Sequence, residues 1–400
     1  MLRRAAIVAP FRSPIGRFGG VFRDLPVETL GATVAKAVVE ASGVDPALIE
    51  DVVFAQSYAN SETPCIGRWI ALSAGLPIEV PGIQLDRRCG GGLQSIATAA
   101  MMVETGACDV VLAGGVESMS RIEYYNTDMR WGKRAGSAMF YDRLDRGRER
   151  SQPVERFGVI SGMVETAENL ARDYKIPREA ADAFAAGSHR KADAAWREGR
   201  FAEEVVPVEV PQRKGDPVVI ATDEGIRPET TAESLAGLRA IMKDGVVTAG
   251  NASQQNDAAA ACLVVAEDRL GALGFEPVAF LAGWAAAGCD PSRMGIGPVP
   301  ATSRVLAKTG LSLDAMDLIE VNEAFACQVL SVLAEWELEG DDPRLNVNGS
   351  GISLGHPIGA TGTRIMTTLV REMKRRGAKY GLETMCIGGG QGMAAIFEAA

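Results

Sequence analysis

The two ends of the chain carry the same alternation of short apolar runs and helical patterns, and this repetition constrains the fold more than any other feature. The first series occupies residues 4–113 and the second residues 278–397. Leu112-Ala-Gly-Gly115 in the first and Cys386-Ile-Gly-Gly389 in the second are each followed, four residues later, by a methionine. Alternating strands and helices are typical of a parallel or mixed sheet covered by helices. We therefore predict an α/β fold built by duplication.

The predicted elements follow the same order in both halves. The first half has strands at 4–9, 51–56, 80–85 and 109–113, and helices at 27–41, 66–74 and 91–103. The second has strands at 278–284, 317–321, 345–348, 383–387 and 393–397, and helices at 302–309, 323–337 and 359–375. Residues 121–250 break the rhythm with a helical stretch at 166–200 and Pro/Gly-rich connections, which indicates an insertion. We predict three units: 1–120 plus 251–275, the inserted 121–250, and 276–400.

Charge and cysteine content exclude several classes of protein. A formal net charge of -10 argues against general nucleic-acid binding, and no apolar run is long enough to span a membrane. Seven cysteines without a CxxC pair fit neither a disulfide framework nor a zinc site, so we expect no metal and a cytoplasmic location. The segment from residue 121 to residue 156 contains nine Arg or Lys and six acidic residues, which indicates either a local site for an anion or a solvated surface.

Cys89 is the first candidate nucleophile. It lies in Arg88-Cys-Gly-Gly-Gly92, directly before a predicted helix. Unpaired N–H groups and the helix dipole lower the pKa of a thiol at such a position, so we expect a reactive thiolate. The glycines allow close approach of a substrate and supply amides for an oxyanion. The alternative is a buried, inert cysteine in a glycine turn.

The chain has only two histidines, so the choice of a general base is narrow. His189 lies in a charged helical pattern and is expected to be solvated. His356 lies in Gly355-His-Pro-Ile-Gly359 ahead of a predicted helix, in the same place in its half as Cys89. It could take the thiol proton of Cys89 or be a structural turn residue.

Two further residues stand at strand ends. Cys386 precedes Gly388-Gly-Gly-Gln-Gly392, where a second thiol suits proton exchange with a weak carbon acid, although a buried structural cysteine is the alternative. Asn322 follows a predicted buried strand and could cap the next helix or fix a water or a polar catalytic group.

Together these segments resemble the signature blocks of the thiolases, in the order of that family and over nearly the whole chain. The blocks are Cys89-Gly-Gly-Gly-Leu-Gln94, Val247-Thr-Ala-Gly-Asn-Ala-Ser253, Asn322-Glu-Ala-Phe325, Gly355-His-Pro-Ile-Gly359 and Cys386-Ile-Gly-Gly-Gly-Gln-Gly392. The resemblance implies a duplicated five-layered α-β-α-β-α fold with mixed sheets and an inserted loop domain. It also implies a homodimer or homotetramer, acyl-CoA as substrate, no tightly bound cofactor and a place in fatty acid metabolism such as β-oxidation.

The resemblance further implies roles for particular residues. Cys89 would carry the acyl group after activation by His356, and Cys386 would exchange a proton with the α-carbon of acetyl-CoA. One oxyanion pocket would use His356 with a water held by Asn322, and the other the amides of Cys89 and Gly388. The residues implied to contact coenzyme A are Arg227 on the adenine, Ser253 on the pantetheine, and Ala249, Met294, Ala324 and Phe325 along the tunnel, with Met163 beside it.

Some positions depart from the commoner pattern. Gly162-Met163 replaces a His-Met pair of many short-chain biosynthetic thiolases, and Gln254-Gln255 follows Ser253. The first change is more similar to degradative or ketoadipyl-type thiolases, so the acyl group stays open. The alternatives are a ketoacyl-synthase-like condensing enzyme, a hydrolase built from Cys89, His356 and Asn322, and a non-catalytic binding protein on the same fold.

Overall fold

The structure is a computed structural model that describes residues 3–400. Its strands in this range are β1 Ala5–Arg12, β2 Gly16–Arg17, β3 Asp51–Ala55, β4 Gly82–Leu85, β5 Val110–Ser118, β6 Tyr124–Tyr125, β7 Tyr141–Asp142, β8 Val208–Val210, β9 Val218–Ile220, β10 Asn256–Ala266, β11 Ala279–Gly288, β12 Leu318–Val321, β13 Tyr380–Ile387 and β14 Gln391–Ala399. Its α-helices are α1 Val27–Ser42, α2 Ile66–Ser73, α3 Gly91–Glu104, α4 Arg143–Glu149, α5 Val154–Phe157, α6 Met163–Asp173, α7 Arg178–Arg197, α8 Ala232–Ala236, α9 Glu267–Leu273, α10 Pro298–Thr309, α11 Ala326–Glu335 and α12 Thr361–Arg376. Within this range no helix combines the length and apolar character needed to cross a membrane.

The main strands form two half-sheets that repeat one strand order. The first half-sheet runs β4-β3-β5-β10-β1 and the second runs β12-β13-β14-β11. They meet where β1 pairs with β11, through only Ala6↔Phe280 and Ile7↔Ala279. Both are mixed, because β3 pairs in parallel with β4 and β5, and β12 with β13, whereas the other pairs are antiparallel. The duplication predicted from the sequence is thus visible in the strand order.

Five layers result from the apolar faces of these sheets. Helices α1 and α2 cover the outer face of the first half-sheet, and α10 and α11 cover the outer face of the second. Between the half-sheets, α3 and α12 share one apolar cluster with strands of both. Helices cover both faces, so β5 and β10 are buried along their whole length, and their sequences are apolar except for the last two residues of β5 and the first two of β10. The α-β-α-β-α architecture is confirmed.

One strand was missed and one predicted strand was wrong. The central strand β10 was not predicted, because its Asn-Asp-Ala-Ala-Ala-Ala-Cys sequence is rich in alanine and lacks the β-branched residues that indicate a strand until Val264. Residues 345–348 were predicted as a strand but form only an isolated parallel bridge, Ile319↔Leu345. Leu345 pairs with β12 in the place where β4 pairs with β3 in the first half. The second half therefore keeps a remnant of the fifth strand.

Most other predicted elements differ at their ends, and one is divided. The strand predicted at 109–113 continues to Ser118, and the helix predicted at 302–309 begins at Pro298, where proline is tolerated in the first turn. The helical stretch predicted at 166–200 is divided into α6 and α7 before Pro177.

The inserted residues are tied to the first half-sheet by a buried ionic cluster. Arg12, at the end of β1, donates from Nε to Glu204 at 2.6 Å and from Nη1 and Nη2 to Asp223 at 2.7 and 3.0 Å. All three side chains are fully buried or nearly so. A buried charge is tolerated only when it is paired, so this cluster fixes where the inserted segment lies on the sheet. The proposed three-unit division stays a prediction, and Met1 and Leu2 of its first unit lie outside the described residues.

Candidate active site

One cavity of about 670 Å³ brings together the two thiols and the imidazole that the sequence indicated. Cys89, His356 and Cys386 all line it. Cys89 lies in a 3-10 turn, Arg88–Gly90, directly before α3. Cys386 lies near the end of β13, and His356 lies in the segment before α12. The two repeats therefore contribute the proposed reactive groups from corresponding strand and helix ends.

Close contact between α3 and α12 brings the turn of Cys89 and the segment of His356 to the same cavity. A Cβ atom on Gly92 would lie 2.7 Å from the backbone nitrogen of Thr363, and one on Gly362 would lie 2.2 Å from that of Leu93. The Thr363 hydroxyl also donates to the carbonyl of Gly92 at 3.1 Å. Only glycine permits this approach, so the glycines after Cys89 and His356 serve helix packing as well as substrate access.

The Cys89 thiol does not have the lowered pKa that its place before a helix led us to expect. Burial raises its pKa, and the N–H groups of Gly388 and of Cys89 itself, with the nearby charges of Arg88 and Arg148, only partly offset this. Desolvation disfavours the thiolate more than these donors favour it. That expectation was wrong, and Cys89 in its resting state is a thiol that needs a base.

The His356 side chain is positioned by Thr361, whose Oγ1 lies 2.7 Å from His356 Nδ1. The threonine hydroxyl has a single proton, and its oxygen also lies 3.0 Å from the carbonyl of Pro357. When that proton goes to the carbonyl, Nδ1 carries the ring proton and donates to Oγ1. Nε2 is left with its lone pair, as a base for the thiol of Cys89 requires.

The backbone of His356 is fixed from a different element. Its N–H donates to Asn256 Oδ1 at 2.9 Å, from the start of the unpredicted strand β10. Gly355 has a φ of 120°, and a Cβ there would lie 2.5 Å from Asn256 Cγ, so only glycine allows this contact. The position of the imidazole thus depends on a strand of the first half.

The imidazole of His356 should stay neutral over the whole physiological range. Burial lowers its pKa to about 3, and the charges of Arg364 and Arg148 act in the same direction. Because the thiol pKa is raised and the imidazole pKa is lowered, a resting thiolate–imidazolium pair is disfavoured. The proton is therefore expected to leave Cys89 as the carbon–sulfur bond forms.

This arrangement predicts the pH dependence of Cys89 alkylation. We expect the rate with iodoacetamide to show no step near pH 6.5 and to keep rising above pH 8.5, the usual thiol pKa, because only the thiolate reacts. Mass spectrometry of the Cys89 peptide from pH 5 to pH 10 measures this, with the exposed Cys65 as internal reference for the reagent. A plateau reached between pH 6 and pH 7 would indicate a resting ion pair instead.

Asn322 lies behind the imidazole and is fully buried. Its Nδ2 is 3.4 Å from His356 Nδ1, too long to compete with the 2.7 Å contact of Thr361. Among residues 3–400 its Oδ1 has no hydrogen-bond partner. A buried amide oxygen of this kind is suited to binding a water molecule, which fits the predicted role of Asn322 without testing it.

Cys386 and Gly388 approach Cys89 from β13. Burial raises the pKa of the Cys386 thiol well above its usual range, and the nearby thiols of Cys89 and Cys289 add to this. A thiolate with such a raised pKa is a stronger base, which suits a weak carbon acid. The Gly388 N–H points at the Cys89 sulfur and, with the Cys89 N–H, forms a pair of amide donors. Such a pair can stabilise an oxyanion at the carbon bound to Cys89.

Glu117, at the end of β5, connects the two reactive segments and was missed from the sequence. Its carboxylate accepts the N–H groups of Ser57 at 3.0 Å, Tyr58 at 3.3 Å and Gly359 at 3.0 Å. The Ser57 hydroxyl donates to the carbonyl of Arg88 at 3.0 Å, which holds the Cys89 turn. The available signal was a single acid in the apolar strand β5, at a position where the second copy has glutamine.

We expect Glu117→Gln to lower kcat about ten- to hundredfold with little change in KM. The NH₂ group of glutamine cannot accept a hydrogen bond, so one of the buried N–H groups that Glu117 binds would lose its acceptor. Iodoacetamide labelling of Cys89 should slow in parallel, since the Cys89 turn loses its support. Steady-state kinetics and labelling measure both effects. The exposed Glu40→Gln serves as control, and a KM increase at constant kcat would contradict the positioning role.

Most residues assigned to coenzyme A from the resemblance line the same cavity. They are Met163, Ala249, Ser253, Met294, Ala324 and Phe325. Arg227 is exposed and does not line it, and its N–H donates to Nδ1 of His189 at 3.2 Å. His189, expected to be solvated, is only 4% exposed, and burial lowers its pKa to about 4. That expectation was wrong because the segment around Arg227 covers this side of α7.

Comparison with known proteins agrees with this geometry. Residues 5–268 match the family described as "Thiolase, N-terminal domain" and residues 275–399 match "Thiolase, C-terminal domain". Acetyl-CoA acetyltransferases of Chromobacterium violaceum and Pseudomonas aeruginosa are each 45% identical over 395 residues, covering 98% of this chain and 99% and 98% of theirs. Among solved structures, the Bacillus anthracis acetyl-CoA acetyltransferase has a TM-score of 0.95 at 40% identity, covering 100% of this chain and 99% of that one. Human mitochondrial 3-ketoacyl-CoA thiolase in complex with CoA has a TM-score of 0.93 at 40% identity, covering 100% and 98%.

Proposed function

The chain belongs to the thiolase family, and from this premise we propose that it transfers acyl groups between coenzyme A and Cys89, forming or cleaving the carbon–carbon bond of a 3-ketoacyl-CoA. One observation carries the proposal: Cys89, His356 and Cys386 line a single cavity together with the six residues assigned to coenzyme A. The enzyme is accordingly an acetyl-CoA C-acyltransferase.

In the cleavage direction, the sulfur of Cys89 attacks the 3-keto carbonyl while its proton moves to Nε2 of His356. The carbon–carbon bond then breaks, and the electron pair passes to the α-carbon of the departing acetyl-CoA, which takes a proton from Cys386. Free coenzyme A enters next and gives up its thiol proton, which restores Cys386; its sulfur attacks the acyl carbonyl, and Cys89 leaves and takes its proton back from His356. Synthesis follows these steps in reverse, with Cys386 removing the α-proton.

Two amide donors and one side-chain pair support the charged intermediates. The N–H groups of Cys89 and Gly388 lie at the nucleophile and would hold the oxyanion of the tetrahedral intermediate on that carbon. His356, with a water held by Asn322, would stabilise the enolate oxygen of acetyl-CoA. Coenzyme A binds as a substrate, and we propose no tightly bound cofactor.

The alternatives fit these contacts less well. A ketoacyl-synthase-like enzyme would need a second polar base in the cavity, and His189 is buried against Arg227 outside it. A cysteine hydrolase could use the contact between Asn322 and His356, but a second thiol in the same cavity would have no task.

Several finer features are part of the proposal. We propose a cytoplasmic enzyme, supported by seven unpaired cysteines, and a homodimer or homotetramer. Exposed apolar side chains between β6 and β7 support an oligomer contact, among them Trp131 at 93% and Phe140 at 69% exposure. A degradative role, including β-oxidation, is supported by Gly162-Met163 on the cavity wall in place of a His-Met pair.

Thiolysis of 3-ketoacyl-CoAs of graded chain length tests the proposal. We expect coenzyme A-dependent loss of the 3-ketoacyl thioester for at least part of the series and formation of equal amounts of acetyl-CoA and the shortened acyl-CoA. The acyl-enzyme should be detectable on Cys89 when coenzyme A is omitted. Absence of both cleavage and adduct over the whole series would overturn the proposed function.

A further inference from the structure

The active-site cavity is lined by two separate apolar clusters, which form two chemically different walls. One wall belongs to an apolar cluster that contains Cys386 and includes Met163, Met294, Ala324 and Phe325. The other belongs to a separate cluster built on Tyr58, Met119 and Ile358. If the proposed function holds, coenzyme A lies along the first wall. The acyl group, which is on the other side of the thioester carbonyl, then faces the second.

Two arginines lie at the acyl wall, beside two more exposed acids, Asp145 and Glu149. Arg88 and Arg148 both line the cavity there. The guanidinium of Arg88 lies 5.3 Å from the ring centroid of Tyr58, and its Nη1 lies 3.8 Å from where a Cβ on Gly147 would be. Arg88 therefore packs between the Tyr58 ring and helix α4, and its head group is held at the cavity.

Arg88 is available for an incoming anion. Within residues 3–400 its guanidinium forms no ion pair, although the neighbouring Arg148 does. Its backbone has a φ of 47°, a conformation that favours glycine, yet the chain carries arginine at this position next to the nucleophile. A strained non-glycine residue at a reactive site is a recurrent sign of function, here consistent with directing the side chain into the cavity.

Arg148 is only weakly neutralised. Its ion pair with Asp145 measures 3.4 Å, and the side chain of Arg148 is 27% exposed whereas that of Asp145 is 69% exposed. Glu149 also borders the cavity and is exposed. The acids are thus the more solvated groups, where water screens them, and the arginines are the more buried ones. Burial is the main cause of the lowered pKa of His356, and the charges of Arg364 and Arg148 lower it further. The charge of Arg148 therefore acts at the active site.

We propose that Arg88 and Arg148 form a subsite for a carboxylate at the far end of the acyl group. The preferred substrates are then short 3-ketoacyl-CoAs derived from dicarboxylic acids. Planar guanidinium groups bind carboxylates through paired, charge-assisted hydrogen bonds, and these bonds are strongest where water is excluded. The acyl group must be short because the charges of Arg88 and Arg148 lie close enough to Cys89 to act on its thiol, and all three residues line the same cavity.

A pair of six-carbon substrates tests the subsite. One 3-ketoacyl-CoA ends in a carboxylate and the other ends in a methyl group, and the measured quantity is the ratio of their kcat/KM values. We expect the unmodified enzyme to favour the carboxylate substrate about tenfold or more, and Arg88→Gln and Arg148→Gln each to lower the ratio about tenfold or more. A general loss of Cys89 reactivity would lower kcat/KM for both substrates by the same factor, because both acylate Cys89, and so it would not change the ratio. Arg88→Lys should restore part of the preference.

Arg146→Gln is the matched control. Arg146 lies on the same helix but stacks on Tyr141, 3.5 Å from the ring centroid, and does not line the cavity, so the ratio should not change. A wild-type preference for the methyl-ended substrate, or a ratio unchanged in both cavity variants, would overturn the subsite while leaving thiolase activity in place. Failure to cleave either substrate, with no adduct on Cys89, would overturn the proposed function itself.

Discussion

Cys89→Ala is expected to abolish turnover, with kcat lowered by about 10⁴-fold or more, because the covalent step has no other nucleophile. Cys386, although in the same cavity, is fully buried with a strongly raised pKa, and so it cannot replace Cys89 at the carbonyl. Incubation with acetyl-CoA or a 3-ketoacyl-CoA, followed by intact-mass and peptide analysis, should find the acyl adduct on Cys89 in the unmodified enzyme and none in the variant.

Cys65→Ala provides the control for this prediction. Cys65 is exposed and lies outside the active-site cavity, so its removal should change neither turnover nor the adduct. An adduct that persists in Cys89→Ala, or an unmodified Cys89 after incubation with a panel of acyl-CoAs, would refute the assignment of the nucleophile.

The second large effect is expected for Cys386→Ala, which should separate the two halves of the reaction. Acylation of Cys89 by acetyl-CoA should survive, because it needs only Cys89, His356 and the amide donors. Carbon–carbon bond formation and cleavage should fall about 10³-fold or more, because no other group at the cavity is placed to exchange the α-proton. Rapid-mixing acylation measures the first step, and deuterium exchange from D₂O into acetyl-CoA measures the second.

Cys289→Ala is the matched control for Cys386. Cys289 is close enough to raise the pKa of Cys386 but does not line the active-site cavity, so both steps should persist in this variant. If Cys386→Ala lost acylation and deuterium exchange by the same factor, Cys386 would be supporting the site as a whole and would not be the α-carbon base.

Much of the candidate site could be predicted from the sequence because its chemistry is concentrated in rare residues at distinctive positions. With two histidines in the chain, the choice of base was limited to His189 and His356. The glycines after Cys89 and around His356 indicated close approach, and the structure shows which backbones meet there. The raised pKa of Cys89 was not predictable, because a position before a helix indicates the favourable amides but not the burial that outweighs them.

The supporting residues were missed because they act through contacts between distant parts of the chain. Glu117 joins Ser57 and Gly359, and the Asn256 side chain holds the N–H of His356 from a strand 100 residues away. Asn256 has no local pattern that distinguishes it from a turn residue, and the single acid in β5 does not indicate which N–H groups it meets. The position of Arg88 and Arg148 at one cavity wall also depends on a contact between distant parts of the chain.

The sequence by itself determined the α/β class, the duplication and the identity of the proposed reactive residues, since periodicity and rare residue types are local properties of the chain. Only the tertiary structure decided how the two halves pack against each other. It buried the alanine-rich β10 in the centre of the sheet, reduced the fifth strand of the second half to one bridge at Leu345, and placed Cys89 and the buried His356 on one cavity. These features depend on packing between elements that are far apart in the chain, and packing sets both the desolvation that shifts a pKa and the neighbours that a side chain meets.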